Sequence, residues 1–101
     1  MARRAQLRSY VVRDGQMDAF MAAWKGGVIP LRRQFGFTID GAWLDREANR
    51  FVWVVGYDGP GTFDEAAAAY YASPERATMD PDPGSFLVSM DTVMLDTLEL
   101  D

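Results

Sequence analysis

The sequence predicts an α+β fold: two helices laid on one face of a four-stranded antiparallel sheet, in the order β-α-β-β-α-β. Three observations carry this. RFVWVVGYD (50–58) contains an uncharged run of seven residues, Phe51 to Tyr57, dry on both alternations. Met17, Phe20, Met21, Trp24, Val28 and Leu31 recur at three- and four-residue steps, the period of a helix with one buried face. Thr62 and Glu65 have capping-box spacing at the head of FDEAAAAYY, which opens a second helix.

The elements follow in order. AQLRSYVV (5–12) reads as a strand, with Leu7, Ser9 and Val11 on one face and Arg8, Tyr10 and Val12 on the other. RDG turns the chain, and Asp14 is placed to cap the first helix. Gly26 and Gly27 interrupt that helix, each weakening it by about 1 kcal/mol against alanine. A kink is expected there, with Pro30 in the first turn of the restarted helix and Gly36 as its stop. FTIDGAWL (37–44) is the second strand, and DREAN turns it into the third as a hairpin. After the loop DGPG (58–61) and the second helix, Ser73-Pro74 starts a further short turn. DPDPG (80–84) breaks the chain before a long last strand, FLVSMDTVMLDTLEL (86–100). The whole chain, 1–101, reads as one domain, and its plan is the split βαβ, or ferredoxin-like, arrangement.

Such a sheet leaves one face bare. Val52, Val54 and Gly56 are small and aliphatic, so they are expected beneath the helices, together with Leu7, Ser9 and Val11. Phe51, Trp53, Val55 and Tyr57 would then share the opposite face with Arg8 and Tyr10. That patch is too apolar for a lone soluble chain. A partner sheet about 10 Å away, or a pocket, would cover it.

Composition narrows the function. Ten basic and fifteen acidic residues give a net charge of −5, which repels phosphate backbones and argues against nucleic acid. No apolar run approaches the roughly 18 residues of a membrane span, and MARRAQLRSY lacks the apolar core of a secretory signal, so a cytoplasmic protein is expected. Without histidine or cysteine the usual neutral-pH base, thiolate chemistry and a Ser-His-Asp hydrolase are excluded, and no metal or cofactor is expected. DPDP is a rigid turn rather than a calcium loop, which needs about six oxygen ligands.

The candidate residues each have a plainer role beside the functional one. Arg8, central on a strand and facing a dry side, needs a partner. It either clamps a carbonyl, enolate or carboxylate, or pairs with Asp40, Asp91 or a second subunit. Tyr10 and Tyr57 either donate to a ligand oxygen or fill a rim. Trp53 and Trp43 either stack on a flat ligand or pack in a core or dimer interface, and Trp24 is a core residue or a pocket wall. Asp40 is the best general base in a chain without histidine if it faces the pocket, where a dry setting would raise its pKa; otherwise it is an exposed edge-strand carboxylate. Asp91 has the same two readings.

Three stretches in this order, LRSYVVRDGQMDAFMAAWKGGVIPLRRQFGF, NRFVWVVGYD and YYASPERATMDPDP, resemble the NIPSNAP family, and the likeness spans nearly the whole chain. The resemblance implies a dimeric α/β barrel of the ferredoxin-like type: a homodimer with a pocket in each subunit between sheet and helices. It also implies the chemistry of that superfamily, which includes cofactor-independent monooxygenases, isomerases and cyclases as well as haem-handling enzymes. Similar members often carry histidine where this chain has Trp53, so acid–base or metal chemistry at that position is not expected here.

Two functions follow. One is a cofactor-independent enzyme on an apolar or aromatic biosynthetic intermediate, with Arg8 and Tyr10 stabilising an oxyanion, Asp40 moving a proton, and Trp53, Tyr57, Trp43 and Trp24 as walls. The other is a non-catalytic dimer that binds a small molecule or a protein. Haem binding would need Tyr10 or Met90 as the ligand.

Overall fold

β-branched and aromatic residues dominate the strands, and turn formers separate them. The computed structural model describes residues 3–101. Its elements are β1 (Arg4–Val12), α1 (Met17–Ala23), a π-helical turn (Trp24–Val28), α2 (Ile29–Gln34), β2 (Phe37–Asp45), β3 (Arg50–Tyr57), α3 (Phe63–Ala72), α4 (Pro74–Ala77) and β4 (Leu87–Asp96). The strands form one antiparallel sheet in the order β2-β3-β1-β4.

Several local expectations hold. The Thr62 hydroxyl accepts from the Glu65 N–H, and the Glu65 carboxylate accepts from the Thr62 N–H, closing the capping box of α3. Ser73 caps α4, accepting from the Arg76 N–H at 3.1 Å. Gly36 ends α2 at φ +89°, where a side chain would be strained. Asp14 does not cap α1. Gln16 stands at that position without a side-chain bond, and Asp14 instead accepts from the Asn49 amide. The last strand is shorter than expected, because Pro83–Phe86 form a 3-10 turn and pairing stops at Asp96.

The assignment of sheet faces is reversed. Tyr10, Val12, Phe51, Trp53 and Val55 lie beneath the helices, in one core with Phe20, Trp24, Leu31 and Tyr70. Leu7, Ser9, Val11, Val52 and Val54 form the face away from them. The physical reason is volume. The helix stripe presents long and aromatic side chains, and the sheet face below meets them with rings: Phe20 lies edge-on to Phe51 at 5.0 Å, and Trp24 to Trp53 at 5.4 Å. Small aliphatic side chains make a smoother surface, suited to sheet against sheet.

That outer face has polar ends and an apolar middle. At one end Arg50 donates to Ser9. At the other Arg3 crosses Gly56, where any Cβ would collide with its guanidinium. Trp43, paired with Val52 across the strands, lies over Gly41 on this face and is 58% exposed.

Asp40 also belongs to that end, and the base role is corrected. A bulge between Ile39 and Gly41 shifts the register, and Asp40 turns to Arg3 at 2.8 Å and to the Thr38 hydroxyl at 2.7 Å. Burial alone would raise its pKa, but the hydrogen bonds from Arg3 and Thr38 prevail and hold it below the usual carboxylate value. A folded pKa below the unfolded one adds stability above about pH 4, which is lost as pH falls through the folded value. Asp40→Asn is therefore expected to lower stability at neutral pH, by under about 1 kcal/mol for so accessible a pair. The difference should vanish near the acid limit. Urea titrations of both proteins across that range check it, and a gap that widens in acid would contradict the assignment.

Candidate functional site

The site grows out of the inward alternation of β1 and β3. Arg8 and Trp53 are directly opposed, as are Tyr10 and Phe51. On the other side of β1, Tyr10 faces Met90 of β4. The helices stand off at this point and leave a cavity of about 340 Å³, within the usual range for small-molecule sites. Its walls include Arg8, Tyr10, Trp24, Arg32, Trp53 and Tyr71.

Arg8 is 5% exposed and has four contacts. Its Nε donates to the Tyr10 hydroxyl at 2.6 Å, Nη1 to Gln6 Oε1 at 2.7 Å, and Nη2 to the Tyr71 hydroxyl at 2.9 Å and Met90 Sδ at 3.2 Å. None of these is a carboxylate. Asp91, weighed as its partner, lies opposite Ser9 on the outer face. Burial works against the charge of Arg8, but the oxygens of Tyr10 and Tyr71 outweigh it and keep its pKa above the ordinary arginine value.

Arg32 is still more enclosed, at 1% exposed. Its guanidinium lies 4.1 Å from the Tyr70 ring centre and 4.8 Å from that of Phe37, a cation held against π faces. Its Nε and Nη1 have no acceptor among the described residues, and Nη2 donates to the Tyr71 hydroxyl at 3.0 Å. Burial lowers its pKa, with Tyr71 opposing and the like charge of Arg8 adding to the fall. Both arginines remain charged at any ordinary pH. Among the described residues, neither forms an ion pair.

The tyrosines complete the arrangement. Tyr10 Oη accepts from Arg8 and from Trp53 Nε1 at 3.0 Å, so both its lone pairs are engaged and its proton is free to be donated. Tyr71 Oη likewise accepts twice, from Arg8 and Arg32. The cavity wall thus carries three guanidiniums, those of Arg8, Arg32 and Arg76, of which Arg76 pairs with Asp82 at 3.5 Å, beside the Tyr10 and Tyr71 hydroxyls and flat apolar walls. Among the described residues, no carboxylate lines it.

Of the residues expected at a site, Arg8, Tyr10, Trp53 and Trp24 meet here. Tyr57 does not. Its ring lies tilted against Phe37 at 5.3 Å and its hydroxyl donates to the Pro60 carbonyl at 2.5 Å, bracing the loop before α3. Trp43 lies on the outer face, beside a separate groove with Met21, Leu44 and Phe51. Asp40 is remote, as described above. For the haem alternative, the Tyr10 oxygen is already engaged by two donors and Met90 Sδ by Arg8.

No protein-family model matches the chain, and no curated protein does. Solved structures do. A NIPSNAP family protein from Agrobacterium tumefaciens superposes with a TM-score of 0.85 at 13% identity, over 99% of this chain and 90% of that one. The fold is that of the NIPSNAP proteins. An uncharacterized NIPSNAP domain protein from Burkholderia xenovorans gives 0.82 at 17% identity, over 97% of each chain. A putative antibiotic biosynthesis monooxygenase from Nitrosomonas europaea gives 0.73 at 16% identity, over 99% of this chain and 95% of that one.

Within this NIPSNAP-like fold the residues that sequence reasoning missed are Arg32, Tyr70 and Tyr71. The π turn hides Arg32. One extra residue per turn rotates everything after it by about 100°. Arg32, which looks solvated beside Arg33, is thereby brought inward next to Leu31. The Gly26-Gly27 pair was the signal, since a π turn is what those glycines permit here. Tyr70 and Tyr71 passed as the end of an alanine-rich helix.

Proposed function

We propose that the protein is a homodimer that binds an apolar or aromatic small molecule in the cavity between sheet and helices. Arg8 and Tyr10 there stabilise an oxyanion on the ligand, in a reaction that needs no cofactor. The observation that carries this is the Tyr10 hydroxyl. Two N–H donors hold its oxygen, so its proton is preorganised for a ligand oxygen, and the adjacent guanidinium favours negative charge at that point.

Among the described residues, the same cavity offers no carboxylate to take a proton. With Asp40 remote and no acidic residue on the lining, the protein supplies an oxyanion site without a general base. The chemistry that fits is a ligand ionised on binding, because fixed positive charge lowers the pKa of a bound enol or phenol. Isomerisation or cyclisation through such an anion exchanges no atoms with a co-reactant: water takes the proton as the anion forms and returns one as the anion collapses to product. A non-catalytic binding dimer is the second reading, and the missing base favours it. The neighbouring monooxygenase is 16% identical and supports the fold alone.

Native mass spectrometry of freshly purified protein tests the reading. The expected species is a dimer carrying non-protein mass. Arg8→Gln should remain dimeric and lose that mass. A clean monomer at micromolar concentration would overturn the dimer, and an Arg8→Gln dimer that keeps its ligand would overturn the role of Arg8.

A further inference from the structure

Arg8 and Arg32 converge. Each gives its Nη2 to one oxygen, Tyr71 Oη, at 2.9 and 3.0 Å. Two buried guanidiniums so close repel one another, and among the described residues no carboxylate compensates either of them. Leaving a buried charge without a counter-ion is costly, and a second like charge beside it compounds the cost. A phenol oxygen is a weak substitute for a carboxylate at such a point, because it carries no negative charge to offset the two guanidiniums. The side chain that supplies the oxygen is also the least enclosed of the group: Tyr71 is 46% exposed, against 1% for its neighbour Tyr70. It lies near the C-terminal end of α3, two residues before the Ser73 cap.

We propose that the point where Arg8 Nη2 and Arg32 Nη2 meet is a carboxylate subsite, and that a ligand carboxylate displaces Tyr71 Oη there. This deepens the pocket reading and rests on it: the ligand is an acid, a flat apolar body bearing one carboxylate. The apolar body lies against Trp53 and Trp24, whose rings wall the cavity. Arg32 is held rigid by Phe37 and Tyr70, with the Nη2 edge as the one that carries Tyr71. Arg8 is held by Tyr10 and Gln6 through its other nitrogens. The subsite is therefore preorganised on both sides, and only the tyrosine has to move.

The test uses 2-naphthoate and its neutral analogue 2-naphthamide, titrated calorimetrically into the full chain. The naphthoate is expected to bind at least about tenfold more tightly than the amide, the usual margin for a charged partner at a buried donor pair. Arg32→Gln should remove that margin, bringing acid and amide to similar affinity. Tyr71→Phe should bind naphthoate as tightly as the parent or more so, since it removes the competing oxygen and keeps the ring. It also decides the matter if Arg32→Gln does not fold. Equal binding of acid and amide, or a Tyr71→Phe variant that loses naphthoate, would overturn the carboxylate subsite and leave the apolar pocket standing. Failure of both compounds to bind up to millimolar concentration would overturn the subsite and the pocket reading together.

Discussion

Trp53→Ala is expected to lose about 3–5 kcal/mol of stability, the cost of emptying a large aromatic position in a core. Trp53 is 1% exposed, on β3, which is paired on both sides. Its ring meets Trp24 edge-on at 5.4 Å and lies 5.7 Å from the guanidinium carbons of both Arg8 and Arg32. Its Nε1 donates to Tyr10. The substitution therefore removes apolar burial and the aromatic surface on which two charges rest. The adjoining cavity prevents the surroundings from collapsing inward to compensate. Against a total of about 5–15 kcal/mol for a domain, that is a large share. Chemical denaturation at matched protein concentration measures it, with Val52→Ala on the outer face as a milder control. A loss below about 1 kcal/mol would mean that the aromatic face is not the core.

Val54→Lys is expected to convert the proposed homodimer to a monomer while leaving the fold intact. Val54 pairs with Leu7 on one side and Gly41 on the other, on the face away from the helices. Around it lie Val52, Leu7 and Val93, and Trp43 stands exposed nearby. An apolar middle with Arg50–Ser9 at one end and Arg3–Asp40 at the other has the core-and-rim character of an interface. Two copies packed through it by a twofold axis would bring the Val54 residues near one another, so each added ammonium would meet both an apolar wall and its own symmetry mate. Sedimentation or native mass spectrometry reads the outcome. A Val54→Lys protein that remains a dimer would place the interface elsewhere.

Periodicity made the element order legible, because it is a local property. The 3.6-residue stripe from Met17 to Leu31 and the alternation in residues 5–12 each need only a few neighbours to be read. Caps were legible for the same reason, as Thr62 with Glu65 and Ser73 before Pro74 show. Asp14 failed as a cap because Asn49, 35 residues away, competes for its carboxylate. The pairing of Arg8 and Tyr10 with Trp53 on one face was also within reach, since alternation fixes which residues share a side.

What alternation leaves open is which side the helices take, and that decided the molecule. The aromatic side became the core because large rings on the helices need large rings opposite them to fill the space. The aliphatic side was left as the outer surface. The site was split along the same line. Arg8, Tyr10, Trp24 and Trp53 came from patterns readable within one element. Arg32 entered only because a π turn rotated the helix, and Asp40 left because a bulge turned it toward Arg3. The sequence by itself determined the strands, the helices and the two sets of residues that share each sheet face. Only the tertiary structure decided which set is buried and which charges meet, because these depend on volume and register between segments far apart in the chain.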